Sequence, residues 1–186
     1  MPRSTPSTTA STNGAVNQGG TANTNGHTLE DTMIPMFEHH GFDIVQNADI
    51  TRDPSVLKDR QRYVIRNAPF TTIYASKGKT EFVIVDLTQL GPDGAPGRKV
   101  RVEAKWQQTP GSVDEKYPYM LLNGIYQYPE SEIVFVVDGG GYKKQARQWL
   151  QDAINNDWLQ YREQQHKDIQ LMSLAEFMSW FNKEFR

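Results

Sequence analysis

Residues 100–106, VRVEAKW, place a glutamate and a lysine two residues apart within a mainly apolar stretch. The β-branched residues of this stretch predict a strand, in which side chains point alternately to the two faces. Glu103 and Lys105 would therefore lie side by side on one face. Burying two charges costs free energy unless each has a partner, so the pair indicates either a structural salt bridge or a chemical site.

Glu81 begins a second apolar run, residues 81–87, which reads EFVIVDL. The turn-forming residues GPDGAPG separate the two runs, and this pattern predicts a β-hairpin. Two carboxylates and a lysine would then meet near one edge of the sheet. Magnesium takes oxygen ligands from one or two carboxylates together with phosphate and water. A lysine beside it can hold the attacking water or stabilise charge on the phosphate, so these residues predict metal-assisted phosphodiester hydrolysis.

Two further residues of the hairpin are candidates for the same site. Gln107 shares the face of Lys105, and we expect it to orient a water or a phosphate. Asp86 competes with Glu81 for the role of first carboxylate, because it is closer in sequence to Glu103. We prefer Glu81, since GKTEF leads directly into the apolar strand, whereas Asp86 lies beside the turn, where a solvated acid is expected.

The segments GKTEFVIV and RVEAKWQ, which contain these residues, resemble the two strands that carry the active site of PD-(D/E)xK nucleases. In that superfamily an acidic residue begins one strand and an (E/D)xK triplet lies on the next. The resemblance implies a centre of Glu81, Glu103 and Lys105, with Mg²⁺ or Mn²⁺ as cofactor and DNA as substrate. The first position departs from the family pattern, because it is Glu rather than Asp and no Pro precedes it.

A third metal ligand is implied by a resemblance to archaeal-type Holliday junction resolvases. In those proteins a Glu on the opening helix precedes a Gly-Phe pair by a fixed interval and joins the metal site. Glu30 precedes the Gly-Phe pair that begins at Gly41 by eleven residues, which matches this interval, although Pro35 departs from the pattern. The alternative role of Glu30 is to stabilise the start of the helix through the helix dipole.

Three lysines are candidates for contacts with DNA. Lys116 precedes a predicted helix, where its segment could equally cap that helix. Lys143 and Lys144 end the segment GGGYKK at the start of the next helix. The backbone N–H groups of a helix N-terminus can hold a phosphate, although a plain turn between strand and helix gives the same pattern.

The rest of the chain predicts an α/β fold with a central mixed sheet flanked by helices. Together with the resemblance, which extends over residues 62–150, it indicates a restriction-endonuclease-like αβββαβ core in one domain, residues 28–186. Residues 62–65 and 71–74 are ambiguous short segments around Pro69. Ser173 and Glu176 have the spacing of a capping box at the start of a final helix.

Composition adds several expectations. Residues 1–27 consist almost entirely of Ser, Thr, Asn, Gly, Ala and Pro, which predicts a disordered N-terminal tail. The net charge of −2 means that any basic surface for DNA must be local, and the absence of cysteine excludes disulfides and thiolate zinc sites. No apolar run reaches the length of about 20 residues that a membrane helix needs, so we expect a soluble cytoplasmic protein without a membrane partner.

Two classes of function follow from these observations. The first is a metal-dependent DNA endonuclease, which we expect to act on duplex DNA as a homodimer. The second is a non-catalytic module on a nuclease-like fold, binding DNA or another protein. The intact Glu103, Lys105 and Glu81 favour the first class. Restriction, repair and junction resolution all remain open, because fold does not fix substrate.

Overall fold

The computed structural model describes residues 18–92, 94–108 and 114–186, with side chains from Leu29 onward. The first helix, α1, runs Gln18–His39, so it begins inside the segment that we assigned to the tail. Residues 1–17 lie outside the described residues, and the disorder of the tail stays a prediction. Pro35 lies within α1.

A mixed sheet of six strands forms the centre of the described chain, with the strands in sequence order from edge to edge. The two middle pairs, β2 with β3 and β3 with β4, are antiparallel, and the remaining neighbours are parallel. The strands are β1 (Asp43–Gln46), β2 (Arg62–Thr71), β3 (Lys77–Leu90), β4 (Pro96–Trp106), β5 (Glu132–Asp138) and β6 (Asp168–Met172).

Helices cover both faces of this sheet, as the α/β prediction requires. After α1 they are α2 (Asn47–Arg52), α3 (Tyr117–Tyr126), α4 (Lys144–Asn155), α5 (Tyr161–Gln165) and α6 (Leu174–Glu184). The capping box predicted for α6 is confirmed, because Ser173 Oγ accepts from the Glu176 N–H and the Glu176 carboxylate accepts from the Ser173 N–H. Within the described ranges, no helix combines the length and apolar character needed to cross a membrane.

The two faces of the sheet bury separate apolar clusters. Helices α1 and α6 cover the first face, where aromatic rings of the helices pack edge to face on the sheet, as in the 5.2 Å pair of Phe37 and Phe82. Helices α3, α4 and α5 cover the second face, where Phe135 and Leu150 are buried. Alternating side chains of β3 and β4 therefore point into different environments.

The register of β3 and β4 confirms the predicted hairpin, since Phe82 lies opposite Val102. Because β4 runs antiparallel to β3 and parallel to β5 and β6, β3 begins at the end of the sheet where those three strands finish. We call this the site end. The turn between β2 and β3 lies there, and so do the starts of α3 and α4, which follow the ends of β4 and β5.

Candidate active site

The β3–β4 ladder brings the three predicted catalytic side chains together. Its last pair at the site end is Phe82 with Val102, and the next residues outward are Glu81 and Glu103. The Lys105 ammonium lies 2.9 Å from Glu103 Oε1 and 3.5 Å from Glu81 Oε1. All three side chains are largely buried on the second face. Two carboxylates thus share one ammonium, and their formal charges exceed that of Lys105 by one.

The Glu81 carboxylate is held by the backbone of the neighbouring strand. The Ala104 N–H donates to Glu81 Oε2 at 2.8 Å, which leaves Oε1 directed at Lys105. Burial raises the pKa of Glu81, Lys105 lowers it in part, and the neighbouring Glu103 carboxylate raises it further. The charged form of Glu81 is therefore unfavourable at this position, because the carboxylate is buried and shares the Lys105 ammonium with Glu103.

Lys105 is a cation at neutral pH in this arrangement. Burial alone would lower its pKa, but the carboxylates of Glu103 and Glu81 outweigh burial, and the pKa is raised. The Lys105 ammonium also donates to the Ala104 carbonyl oxygen at 3.3 Å. A salt bridge is thus present, as one of the two sequence-based alternatives expected, but it does not balance the charge of its two acidic partners.

Tyr128 is a member of the site that the sequence analysis missed. Its buried hydroxyl donates to Glu103 Oε2, so Glu103 is held by Lys105 through one oxygen and by Tyr128 through the other. Burial and then the Glu103 charge raise the Tyr128 pKa, which keeps the hydroxyl protonated. No local signal could have found it, because Tyr128 follows α3 and meets β4 only in the folded sheet.

A buried polar network positions Tyr128. Arg101 lies two residues before Glu103 on β4 and on the same face of the sheet. Its Nε lies 2.5 Å from Glu130 Oε2 in an ion pair, and its guanidinium carbon lies 5.1 Å from the centroid of the Tyr128 ring. Lys167 donates to the carbonyl oxygens of Tyr128 and Glu130 at 2.5 and 2.8 Å. These contacts of Arg101 and Lys167 fix the position of the segment that follows α3 and carries Tyr128.

Gln107 lies beyond the end of β4 and joins it to the turn after β5. Its N–H donates to the Asp138 carbonyl at 2.9 Å, and its carbonyl accepts from the Gly141 N–H at 2.7 Å. Its side-chain amide donates to the Gly141 carbonyl at 3.4 Å. At Gly139, where φ is +101°, an added Cβ would lie 2.5 Å from the Gln107 carbonyl oxygen, so only glycine fits this close approach.

Glu30 and Asp86 lie on the first face, away from the pair of Glu81 and Glu103. Glu30 forms an ion pair with Arg66, which lies opposite Phe82 in the ladder and shares its face. Asp86 is on the same face, 3.0 Å from Arg62. The structure therefore does not bring either carboxylate together with the other three predicted residues.

The expectation that Asp86 is a solvated acid is wrong. Its exposed fraction is 0%, and its carboxylate accepts from the N–H and the hydroxyl of Thr88 as well as from Arg62. The reason is that Arg62 on the neighbouring strand, together with Thr88, supplies the hydrogen bonds that water would otherwise provide.

The three predicted DNA-contacting lysines, Lys116, Lys143 and Lys144, have exposed side chains at the site end. One backbone N–H group at the start of α4 already has a hydrogen-bond partner within the protein, because the Lys143 N–H donates to the buried Asp114 carboxylate at 3.1 Å. A protein carboxylate at this position competes with a phosphate for the same donor. The lysine side chains, rather than the backbone, are then the groups left for an anion.

The metal-binding potential of the site rests on Glu81 and Glu103. No group of three or more His, Cys, Asp or Glu side chains that could hold a metal occurs in the described residues. Two carboxylates nevertheless fit Mg²⁺, which commonly takes one or two protein carboxylates and completes its octahedron with water and phosphate. The excess negative charge beside Lys105 fits an added cation in the same way.

Comparison with known families agrees with this geometry. The family model of the PD-(D/E)XK nuclease superfamily domain matches residues 21–185. The chain belongs to this superfamily. Neither a curated protein nor a solved structure matches the chain. The hairpin that carries Glu81, Glu103 and Lys105 lies within the matched residues.

Proposed function

We propose that this chain is a divalent-metal-dependent endonuclease that hydrolyses DNA phosphodiester bonds. The observation that carries the proposal is the convergence of Glu81, Glu103 and Lys105 at the end of one hairpin, with two carboxylates sharing a single ammonium. Membership of the PD-(D/E)XK nuclease superfamily supports the same conclusion.

Glu81 and Glu103 are the residues that would hold Mg²⁺ or Mn²⁺. Bound there, the cation would neutralise charge on the scissile phosphate and lower the pKa of a water. The Ala104 N–H fixes one oxygen of Glu81 and the Tyr128 hydroxyl fixes one oxygen of Glu103, so each carboxylate keeps its other oxygen toward the space beside Lys105. To act as a third ligand, Glu30 would have to leave Arg66 and reach around the end of the sheet from the first face.

Lys105 would act as a hydrogen-bond donor to the reacting phosphate or to the attacking water. Its ammonium is held by Glu103 at 2.9 Å, whereas its contacts with Glu81 at 3.5 Å and the Ala104 carbonyl at 3.3 Å are long, so a phosphate or water could replace one of these two partners. Gln107 would keep the turn after β5 in place beside the site and orient a water or phosphate through its side chain. Lys116, Lys143 and Lys144 would contact the DNA backbone, and a homodimer would let two sites act on the two strands.

The test is single-turnover cleavage of DNA with Mg²⁺, measured beside equilibrium binding of the same DNA in Ca²⁺. Lys105→Ala should lower the cleavage rate about 10²- to 10³-fold, the range for one electrostatic group in a transition state. DNA affinity should change far less, because many phosphate contacts share it. Lys99→Ala is the matched control, since it removes an exposed lysine from the same strand outside the site.

A calorimetric arm tests the ligands directly. Mg²⁺ binding should be lost in the Glu81→Gln/Glu103→Gln protein and retained in Lys99→Ala. Native cleavage by Lys105→Ala would reduce Lys105 to a salt-bridge partner. If the unmodified protein binds DNA but cuts none of it with Mg²⁺ or Mn²⁺, the chain is a non-catalytic DNA-binding module on this fold.

A further inference from the structure

A stacked aromatic pair, with one ring exposed and the other half-buried, lies at the site end, outside the centre described above. The rings of Tyr74 and Tyr119 stack with centroids 5.3 Å apart and an interplanar angle of 20°. Tyr74 lies in the turn between β2 and β3 and is 75% exposed, so one face of its ring is open to solvent. Neither ring is needed by the hydrophobic clusters on the two faces of the sheet.

The turn that carries Tyr74 is built to hold it against α3. The buried Asn123 side chain accepts from the Ile73 N–H at 2.9 Å and donates to the Tyr119 carbonyl at 2.9 Å. One side chain therefore ties the turn to the residue that bears the second ring. Thr72 and Ser76 close the turn through backbone and hydroxyl hydrogen bonds of 2.8 and 2.7 Å.

The surroundings of the pair are suited to a polyanion. Exposed Lys77 follows the turn, and exposed Lys116 precedes Tyr119 by three residues, with Glu115 offsetting part of that charge. Glu81 lies four residues along β3 from Lys77, a distance of about 13 Å at the rise of a strand. The turn that bears Tyr74 therefore lies at the same end of the sheet as Glu81.

We propose that Tyr74 and Tyr119 form a stacking platform for an unpaired base of the DNA strand that enters the site. This inference rests on the proposed nuclease function and narrows its substrate to DNA with a single-stranded stretch beside the cleaved bond. A ring fixed in advance loses little conformational freedom on binding, and every base offers a π face, so such stacking tolerates any sequence.

The experiment uses the full chain and one fluorescein-labelled oligonucleotide in three forms: single-stranded, blunt duplex, and duplex with a single-stranded tail. Binding is measured by anisotropy in Ca²⁺. Tyr74→Ala should weaken binding of the single-stranded and tailed forms about 5- to 150-fold, the loss expected for one base–aromatic stack, and leave the blunt duplex unchanged. Tyr74→Phe keeps the ring and should bind all three forms as the unmodified protein does.

Tyr126→Ala is the matched control, because Tyr126 is another exposed tyrosine, at the opposite end of α3. A 2-aminopurine in the single-stranded tail gives a second readout. Its fluorescence should be quenched by the unmodified protein and by Tyr74→Phe, but not by Tyr74→Ala. Because Tyr74 is exposed, the melting temperature of Tyr74→Ala should match that of the unmodified protein.

An equal loss of affinity for all three DNA forms would show that Tyr74 contacts the DNA backbone, and it would overturn the proposed stacking platform. Unchanged binding by Tyr74→Ala, in a preparation whose unmodified protein binds and cuts DNA, would overturn it while leaving the nuclease function intact. If the unmodified protein neither binds nor cuts any of the three forms, the nuclease proposal fails, and the platform fails with it.

Discussion

Both carboxylate oxygens of Glu103, a proposed metal ligand, have partners within the fold. One of its oxygens faces Lys105 and the other accepts from the Tyr128 hydroxyl, so the carboxylate has one defined orientation. A carboxylate held in this way needs little further ordering when it binds a cation. We therefore propose Tyr128 as a positioning residue, which would act through Glu103 rather than on the substrate.

Tyr128→Phe should lower Mg²⁺ affinity about 10-fold or more, because loss of a partner to a metal ligand typically costs 10- to 100-fold. The measurement is calorimetry, together with cleavage rate as a function of Mg²⁺ concentration. Excess Mg²⁺ should restore much of the rate, which a purely structural role of the hydroxyl would not allow. Tyr161→Phe is the control, since its buried hydroxyl donates to the Ile154 carbonyl at 3.1 Å, away from the site.

At the scale of elements, α6 depends on its first turn. Ser173 and Glu176 exchange side-chain and backbone hydrogen bonds, and α6 carries Phe177 and Phe181 into the cluster on the first face. The N–H and then the hydroxyl of Ser173 hydrogen-bond to the Glu176 carboxylate and lower its pKa. The charged carboxylate therefore stabilises the fold above its ordinary pKa, and this contribution is lost as the pH falls through the lowered value.

Ser173→Ala should lower the free energy of unfolding by about 1 kcal/mol at neutral pH, the usual cost of removing an N-cap. The loss should shrink in acid, where Glu176 is protonated in both proteins. Urea denaturation at neutral pH, and at pH values below the lowered pKa of Glu176, measures the loss of stability and its decrease in acid. Ser179→Ala, an exposed position inside α6, should have little effect or stabilise slightly, because alanine favours the helix interior. An equal loss at both pH values would contradict the role of Glu176.

The elements that the sequence predicted well are those whose signal is local. The β3–β4 hairpin, the strand β5 and the capping box of α6 each follow from neighbouring residues. Strand β2 was harder, since Pro69 interrupts its pattern. The structure explains this, because β1 pairs only with Tyr63 to Arg66, so Pro69 lies where β2 has no neighbour on that side and needs no N–H.

What the sequence could not predict depends on contacts between distant residues. Asp86 is buried because Arg62 and Thr88 satisfy it, and Glu103 is held by Tyr128, which lies beyond another helix. The alternation of side chains along a strand predicts which face of the sheet a residue points to, but not which residue it contacts there. The proposed catalytic residues Glu81, Glu103 and Lys105 could be paired from the sequence because they lie on two strands of one hairpin.

At the scale of the whole molecule, the sheet topology places the proposed functional residues at one end. The parallel strands β4, β5 and β6 all finish at the site end, and the antiparallel β3 begins there. The segments that follow these strands carry Lys116, Lys143 and Lys144 with exposed side chains. A protein of net charge −2 can in this way present a local basic surface beside its acidic centre.

Replacing each of these lysines with alanine should reduce the salt dependence of DNA binding by an amount that corresponds to one phosphate contact. Each lysine that neutralises one phosphate releases counterions, so each of Lys116→Ala, Lys143→Ala and Lys144→Ala should reduce the slope of log affinity against log salt by about 1. Affinity should fall uniformly across DNA sequences, because phosphate contacts carry no base information. The measurement is anisotropy in Ca²⁺ over a salt series.

Lys99→Ala again provides the control, because Lys99 is exposed near the other end of β4 and should leave the slope unchanged. The cleavage rate at saturating DNA should remain near native in all three variants, since none of these lysines lies among Glu81, Glu103 and Lys105. An unchanged slope in all three variants would move the DNA-binding surface away from the starts of α3 and α4. A slope lowered equally by Lys99→Ala would mean that the general charge of the molecule, rather than the site end, governs binding.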